Sequence, residues 1–269
     1  MASSPNIGTN LDVAGRLISR AVASGAELVV LPENFAIMGM TETDKVEAAE
    51  AAGAGPIQEF LSRQAGLHRV WIVGGTVPLK SATAGKVRAA CLLFDAHGHQ
   101  VARYDKMHLF DVRIEATGEN YTESETIEPG QASVVVDTPF GRLGLAVCYD
   151  LRFPELFRNM LDEGVQLLAV PSAFTAITGK AHWEILVRAR AIENLCYVIA
   201  AAQGGYHING RETYGDSMIV DPWGSVAGRV VGGADMVCAD ISLDYLARIR
   251  RNFPAVEHRR LSCRGSGVS

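Results

Sequence analysis

The sequence lacks the patterns of several common classes of protein. Its five cysteines include no Cys-x-x-Cys pair, so we expect neither a disulfide framework nor a cysteine-rich zinc site. No stretch reaches the roughly 18 apolar residues of a membrane span, and the start MASSPNIGTN has neither a basic nor an apolar signal region. We therefore expect a soluble protein of the reducing cytoplasm, with no membrane partner and no metal.

Clustered positive charge and nucleotide-binding motifs are also missing. The formal net charge is −5, and lysine and arginine are scattered along the chain without a long basic run, so no basic surface for DNA or RNA is expected. Neither a G-x-x-x-x-G-K-[S/T] phosphate loop nor a G-x-S-x-G nucleophile motif occurs. Nucleic-acid partners and nucleotide cofactors are not implied.

What the sequence does have is a large apolar fraction in an uninterrupted chain. Of its 269 residues, 48% are hydrophobic, which is enough to bury a core without covalent staples. No Pro-rich, Gly/Ser-rich or highly charged stretch divides the interior as a linker would. The sequence predicts a single domain over residues 1–269.

Short apolar runs alternate with segments of helical spacing. A helix is predicted from Leu11 to Val22, ended by Gly25, and another over residues 181–194. The alanine-rich stretch 48–54 predicts a further helix, and a hairpin around Gly98 implies antiparallel pairing. Strands are predicted over residues 28–31, 70–73, 89–94, 133–136, 143–147, 167–170, 198–201 and 218–220. The pattern indicates a layered α/β fold with mixed sheets.

Three of the predicted strands run directly into polar, chemically capable residues. LVVLPENF presents Glu33 after a strand, VARYDKMHLFD presents Lys106, and GLAVCYDLRFPEL presents Cys148. Loops at strand ends are common places for binding and catalytic groups in α/β proteins. Pro154 follows closely and predicts the first turn of a helix, so Cys148 is expected on a tight strand-to-helix bend of the kind that exposes a nucleophile.

Several interpretations of Cys148 stay open from the residues alone. A cysteine after an apolar strand is often a small buried hydrophobe. A papain-like pair with His108 or His182 is a second interpretation, and a redox-sensing thiol is a third. Other side chains are predicted to be core, namely Trp183, Trp223, Cys91, Cys196 and Cys238, while Cys263 lies in a polar tail.

Taken together, the segments LPEN, DKMHLFD and CYDLRFPEL resemble the blocks of the nitrilase superfamily, in the same order, over nearly the whole chain. This resemblance implies an α-β-β-α sandwich with Cys148 as nucleophile, Glu33 as general base and Lys106 as stabiliser of the oxyanion. It also implies that Glu123 positions the lysine and the leaving group, and that the backbone N–H of Tyr149 contributes to the oxyanion site. The implied reaction is hydrolysis of a small-molecule amide through a thioester, with no metal and no organic cofactor.

The second half of the chain narrows the resemblance to one branch. The run PSAFTAITGKAHWEILVRARAIENLCYVIAAAQGG, followed by RETYGDSMIVDPWG, is similar to the branch that hydrolyses deaminated glutathione. The related omega-amidase branch, which acts on alpha-ketoglutaramate, and a catalytically silent scaffold are the alternatives. Arg152 and Arg211 are candidates for binding substrate carboxylates, and the resemblance implies a homodimer.

One feature departs from the family pattern. Family members begin with an apolar strand that ends in Gln-Met, whereas Met1 here coincides with that methionine. The resemblance therefore implies that the first strand is missing from this chain. Loss of such a strand exposes backbone hydrogen-bonding groups at a sheet edge.

Overall fold

The computed structural model describes residues 1–115 and 118–261 of the chain. The helices are α1 Ile7–Ala23, α2 Asp44–Glu47, α3 Pro56–His68, α4 Pro154–Asp162, α5 Ala176–Asn194 and α6 Leu243–Asn252, with short 3-10 helices at Glu123–Glu125 and Cys148–Arg152. The strands are β1 Leu28–Val30, β2 Trp71–Val73, β3 Val77–Lys80, β4 Val87–Phe94, β5 Gln100–Asp105, β6 Asp111–Ile114, β7 Glu119–Thr122, β8 Val135–Thr138, β9 Gly141–Leu145, β10 Leu167–Ala169, β11 Tyr197–Ala200, β12 Gly204–Tyr206, β13 Glu212–Tyr214, β14 Ser217–Val220 and β15 Val226–Val230.

Two mixed sheets organise these strands. In the first sheet β1 pairs in parallel with β2, and the long strand β4 pairs antiparallel with β2, β3 and β5. The second sheet has the order β15-β14-β11-β10-β9-β8, in which β10 runs parallel to both β9 and β11. The strands β6 with β7 and β12 with β13 form separate hairpins. The mixed character predicted from the sequence is confirmed.

The core lies in layers. Apolar side chains of α1 and α3 pack on one face of the first sheet, with Ile18, Phe60 and Ile72 among them. The opposite face meets the second sheet, which is covered in turn by α4 and α5. Trp183 of α5 is fully buried there, as predicted, and its indole Nε1 donates to the Asp216 carbonyl at 2.7 Å. The arrangement is an α-β-β-α sandwich, as the resemblance implies.

Three sequence predictions about single segments are wrong. Residues 48–54 form no helix, because Glu50 pairs through its backbone with β3 instead, accepting from Lys80 and donating to Pro78. Trp223 is 55% exposed because it lies in the tight turn between β14 and β15. Cys238 is exposed because the segment after β15 adds no strand to the sheet. Cys91 and Cys196 are buried as predicted, and Cys263 lies outside the described residues.

Strand β1 is at the edge of the first sheet. An apolar groove borders it, lined by Leu17, Ile18 and residues 28–31 on one side and by residues 236–241 on another. Residues 1–6 form no strand. Of the helices in the two described ranges, none combines the length and apolar character that crossing a membrane requires.

Candidate active site

The three polar positions that follow strands come together at one end of the sandwich. Since β5 is antiparallel to β4, and β4 to β2, β5 runs in the same direction as β1. Glu33 follows β1 and Lys106 follows β5. Both residues therefore lie at the same end of the first sheet, where these two strands finish. Cys148 follows β9 of the second sheet and lines the same cavity as both. The facing sheets thus bring Glu33 and Cys148 to one cavity although they are 115 residues apart in the sequence.

Backbone contacts on both sides hold Glu33 in place. The next residue, Asn34, has a left-handed φ of 55° and donates its N–H to Thr76 Oγ1 at 2.8 Å. The Glu33 carbonyl accepts from Gln203 Nε2 at 3.1 Å. Gly75 lies so close that a Cβ there would be 2.1 Å from the Pro32 carbonyl oxygen. Only glycine fits this approach, which fixes the turn that presents the Glu33 carboxylate.

Cys148 occupies the strand-to-helix bend predicted from the sequence. Its φ of 47° is left-handed, a conformation that costs a non-glycine residue on the order of 1–3 kcal/mol and that clusters at functional sites. The Cys148 N–H donates to the Pro171 carbonyl at 2.9 Å, and the Ala173 N–H donates to the sulfur at 3.5 Å. The 3-10 helix from Cys148 and α4 from Pro154 follow. Tyr149 is the second residue of that 3-10 helix, where backbone N–H groups have no intrahelical acceptor.

Lys106 is the centre of a buried ionic cluster. Its Nζ donates to Glu33 Oε1 at 2.8 Å and to Glu123 Oε2 at 2.7 Å, and its side chain is 1% exposed. Burial alone would lower the pKa of Lys106, but the carboxylates of Glu123 and Glu33 outweigh it and hold the pKa well above its ordinary value. Burial alone would raise the pKa of Glu123, whereas Lys106 lowers it from 4.5 to about 2. The lysine is a permanent cation at neutral pH.

The Cys148 thiol stays protonated in this environment. Burial raises the pKa of Cys148 well above its ordinary value, and the negative charge of Glu33 raises it further, although Lys106 acts in the opposite direction. The Glu33 carboxylate and the Cys148 thiol line the same cavity. A neutral thiol next to a carboxylate suits a nucleophile that loses its proton to a base as it attacks.

Two arginines, Arg152 and Arg211, line the same cavity. The Arg152 guanidinium lies over Phe174, 5.1 Å from the ring centroid, and contacts His182 Nδ1 at 3.1 Å. The Arg211 guanidinium lies 4.9 Å from the Tyr121 ring centroid and donates to the Ala173 carbonyl at 3.3 Å. Its Nε is buried and, within residues 1–115 and 118–261, has no hydrogen-bond partner. Both candidate cations therefore lie at the site.

The structure gives the two candidate histidines other partners. His108 Nδ1 is 2.7 Å from Asp150 Oδ1, and its ring stacks on Phe153 with centroids 3.7 Å apart. His182 contacts Arg152. The described hydrogen-bond donor at the Cys148 sulfur is the Ala173 N–H, and the Glu33 carboxylate lines the same cavity as the sulfur.

Sequence reasoning missed several residues of the site. Phe110 donates its backbone N–H to Glu123 Oε2 at 2.8 Å, and Thr175 and Thr178 line the cavity with hydroxyls 2.8 Å apart. Thr175 is also the N-cap of α5, a role that Thr commonly fills before a helix. Ala173 contributes only its backbone, for which the sequence carries no signal.

Comparison with known proteins agrees with these observations. The family model described as carbon-nitrogen hydrolase matches residues 1–251. The deaminated glutathione amidase of Synechocystis sp. is 46% identical over 262 residues, covering 96% of this chain and 95% of that protein. The deaminated glutathione amidase of Homo sapiens is 39% identical over 265 residues, covering 97% and 80% respectively.

Solved structures share the fold over nearly the whole chain. The NitFhit protein of C. elegans superposes with a TM-score of 0.90 at 41% identity, covering 97% of this chain and 63% of that one. Nit3 of Saccharomyces cerevisiae, described as a nitrilase-superfamily member, gives 0.86 at 30% identity, covering 97% and 93%. An amidase from Nesterenkonia sp. AN1, whose active-site cysteine carries acrylamide, gives 0.77 at 27% identity, covering 94% and 96%.

Proposed function

Since this chain belongs to the carbon-nitrogen hydrolase family and is an amidase of that family, we propose that it hydrolyses deaminated glutathione to alpha-ketoglutarate and cysteinylglycine through a thioester on Cys148. The observation that carries the mechanism is the buried cluster in which Lys106 contacts both Glu33 and Glu123 beside the Cys148 thiol. The names of the similar proteins from Synechocystis and Homo sapiens support the substrate.

In the first half of the reaction, Glu33 removes the thiol proton while the Cys148 sulfur attacks the amide carbonyl. The new C–S bond turns the carbonyl oxygen into an oxyanion, which the Lys106 ammonium and the Tyr149 N–H stabilise. The C–N bond then breaks, Glu33 returns the proton to the leaving nitrogen, and cysteinylglycine departs. The acyl group stays on Cys148 as a thioester.

In the second half, water replaces the leaving amine. Glu33 takes a proton from the water as its oxygen attacks the thioester carbonyl, and the same donors hold the second oxyanion. The C–S bond breaks, the thiol regains its proton, and alpha-ketoglutarate leaves. Glu123 remains an ionised partner of Lys106, which keeps the ammonium in place between two carboxylates.

The proposed substrate carries one carboxylate on each side of the scissile amide, and the cavity has two arginines. We assign substrate carboxylates to Arg152 and Arg211. The buried, unpartnered Nε of Arg211 supports its assignment, because a buried donor that lacks an acceptor costs on the order of 1–3 kcal/mol until one arrives. A carboxylate oxygen is the acceptor that suits a guanidinium N–H.

A direct comparison of substrates tests the proposal. Purified protein is assayed with deaminated glutathione, alpha-ketoglutaramate and a simple aliphatic nitrile, and kcat/KM is compared. The proposal predicts the largest value for deaminated glutathione. A larger value for alpha-ketoglutaramate assigns the chain to the omega-amidase branch, turnover of the nitrile alone refutes amide hydrolysis, and no turnover of any of the three supports a silent scaffold.

We further propose a homodimer of single-domain subunits in the cytoplasm. An exposed apolar patch supports association: Ile185 and Ile192 on α5 are exposed, Gly224 packs against Ile192, and Trp223 meets Phe253 with ring centroids 5.6 Å apart. Such patches mark interaction surfaces on soluble proteins. Sedimentation of the parent and of Trp223→Glu tests the dimer, and cell fractionation tests the compartment.

A further inference from the structure

A buried carboxylate connects the two chain segments that carry Lys106 and Cys148. Asp150 is fully buried, and no lysine or arginine pairs with it among the described residues. Its Oδ1 accepts from the His108 N–H at 3.1 Å and from His108 Nδ1 at 2.7 Å. Its Oδ2 accepts from the Tyr104 hydroxyl and from the Val147 N–H, both at 2.8 Å. Four donors therefore satisfy one buried carboxylate.

The positions of these donors along the chain are informative. Tyr104 and His108 lie on either side of Lys106, while Val147 immediately precedes Cys148. The Tyr104 hydroxyl also accepts the Met107 N–H at 3.2 Å, which ties down the residue directly after the lysine. Asp150 thus joins the loop that ends β5 to the bend that follows β9, and these loops belong to different sheets.

The bend at Cys148 needs such support. A left-handed φ at a non-glycine residue persists only where the surroundings hold it. Asp150 holds this bend twice, because its carboxylate accepts the Val147 N–H and its own N–H donates to the Val147 carbonyl at 3.0 Å. The stacked rings of His108 and Phe153 extend the same connection to the start of α4.

The Tyr104 hydroxyl also keeps the proton that it donates to Asp150. Burial and the nearby Asp150 carboxylate raise the pKa of Tyr104 well above its ordinary value. The hydroxyl therefore remains a donor to Asp150 at any pH at which an amidase is assayed. Because a carboxylate only accepts, His108 Nδ1 carries the ring proton in this contact.

We propose that Asp150 is a positioning residue that fixes the distance between the Lys106 ammonium and the Cys148 sulfur by bonding to residues that flank each of them. The proposal rests on the proposed function, in which these two groups act on the same carbonyl. Oxyanion stabilisation depends on donors placed to within a fraction of an ångström, so a small relative shift of the two loops lowers kcat before it lowers binding.

The test compares amide turnover with simple alkylation of the thiol. Iodoacetamide modification of Cys148 needs the thiol and its base but no oxyanion donor, whereas hydrolysis needs all of them. In Asp150→Asn an amide NH₂ replaces one carboxylate oxygen. The N–H or O–H donors that this oxygen accepted from then face another donor, so those hydrogen bonds are lost. We expect kcat on deaminated glutathione to fall about 10²-fold, the effect of losing one oxyanion donor. We expect KM to change by less than about threefold and alkylation by less than about tenfold.

A second variant decides the question if Asp150→Asn does not accumulate as folded protein. Tyr104→Phe keeps the ring and removes one donor, so kcat is expected to fall by about three- to tenfold at nearly constant KM, the loss of a single neutral hydrogen bond. The matched controls are Asp137→Asn and Tyr206→Phe, which change exposed side chains and should leave both rates unchanged.

The possible failures are distinguishable. If the parent does not hydrolyse deaminated glutathione, the proposed function is wrong and the positioning proposal falls with it. If the parent is active but folded Asp150→Asn and Tyr104→Phe retain its kcat, only the positioning proposal is overturned. Equal losses of turnover and of Cys148 alkylation also overturn it, because they indicate a general loss of folded protein.

Discussion

Replacing Lys106 by methionine gives the most informative perturbation of the ionic cluster. Methionine has a similar length but no charge, so the variant keeps the packing and removes the cation that Glu33 and Glu123 share. The substitution therefore affects both stability and catalysis, and the two effects have separate physical causes.

The size of each effect follows from the geometry. Removing one partner from a buried ion pair leaves an uncompensated charge and costs about 3–5 kcal/mol of unfolding free energy. Here two buried carboxylates lose the same partner, so we expect a loss at the upper end of that range at neutral pH. Loss of one oxyanion donor is expected to lower kcat by about 10²- to 10³-fold.

The unfolding free energy is expected to change with pH in opposite directions in the parent and in Lys106→Met. In the parent, Lys106 lowers the pKa of Glu123 to about 2, so this carboxylate contributes stability above pH 4.5 that is lost as the pH falls toward 2. In Lys106→Met, burial of Glu123 is no longer offset by the ammonium of Lys106, so we expect the pKa of Glu123 to rise above its unfolded value. That variant is therefore relatively most stable below about pH 4.5 and loses stability as the pH rises.

Urea unfolding at several pH values, together with kcat on deaminated glutathione, measures both effects. Lys80→Met, at an exposed position on β3, is the matched control. The stability difference between the parent and Lys106→Met is expected to be largest at neutral pH and to shrink toward pH 4.5. A pH-independent difference, or a Lys106→Met variant with the stability and kcat of the parent, would refute the account of the cluster.

Three further substitutions test other parts of the site. Glu33→Gln removes the base and should lower kcat by about 10²- to 10⁴-fold with little change in KM; a near-normal kcat would instead favour a histidine scheme. Arg211→Lys should raise KM, because a bidentate donor is lost, while the exposed Arg248→Lys serves as its control; equal KM values would argue against carboxylate binding there. Gly75→Ala should lower the unfolding free energy by more than about 1–3 kcal/mol. Gly85→Ala is its control, because Gly85 has a similar left-handed φ of 75° but no neighbour within 4 Å, and it should lower the unfolding free energy by less. Equal losses would show that the contact with Pro32 is unimportant.

Prediction from the sequence worked best where a pattern has a direct physical cause. The predicted strands 28–31, 70–73 and 167–170 are observed as β1 Leu28–Val30, β2 Trp71–Val73 and β10 Leu167–Ala169, because short runs of apolar and β-branched residues are typical of strands in a covered sheet. Strands without such runs were missed, among them β6, β7, β12 and β13, because short polar hairpins do not differ from loops in composition. The stretch 48–54 was misassigned because its alanines favour a helix, while tertiary pairing of Glu50 with β3 decides the structure.

The candidate site shows the same division. Glu33, Lys106 and Cys148 were found because each follows a strand and matches a family block, and the structure brings all three to one cavity. Their mutual distances depend on how two sheets face each other, which no local pattern encodes. Asp150 was missed because the donors to its carboxylate include residues more than 40 positions away in the sequence, such as Tyr104.

The central claim is that Cys148 carries the acyl group during turnover. Acid quenching of the parent during hydrolysis of deaminated glutathione, followed by intact-mass measurement and peptide mapping, tests it directly. The account predicts an alpha-ketoglutaryl adduct on the peptide that contains Cys148, and neither adduct nor turnover in Cys148→Ala. An adduct on another residue, or hydrolysis by Cys148→Ala at the rate of the parent, would contradict it.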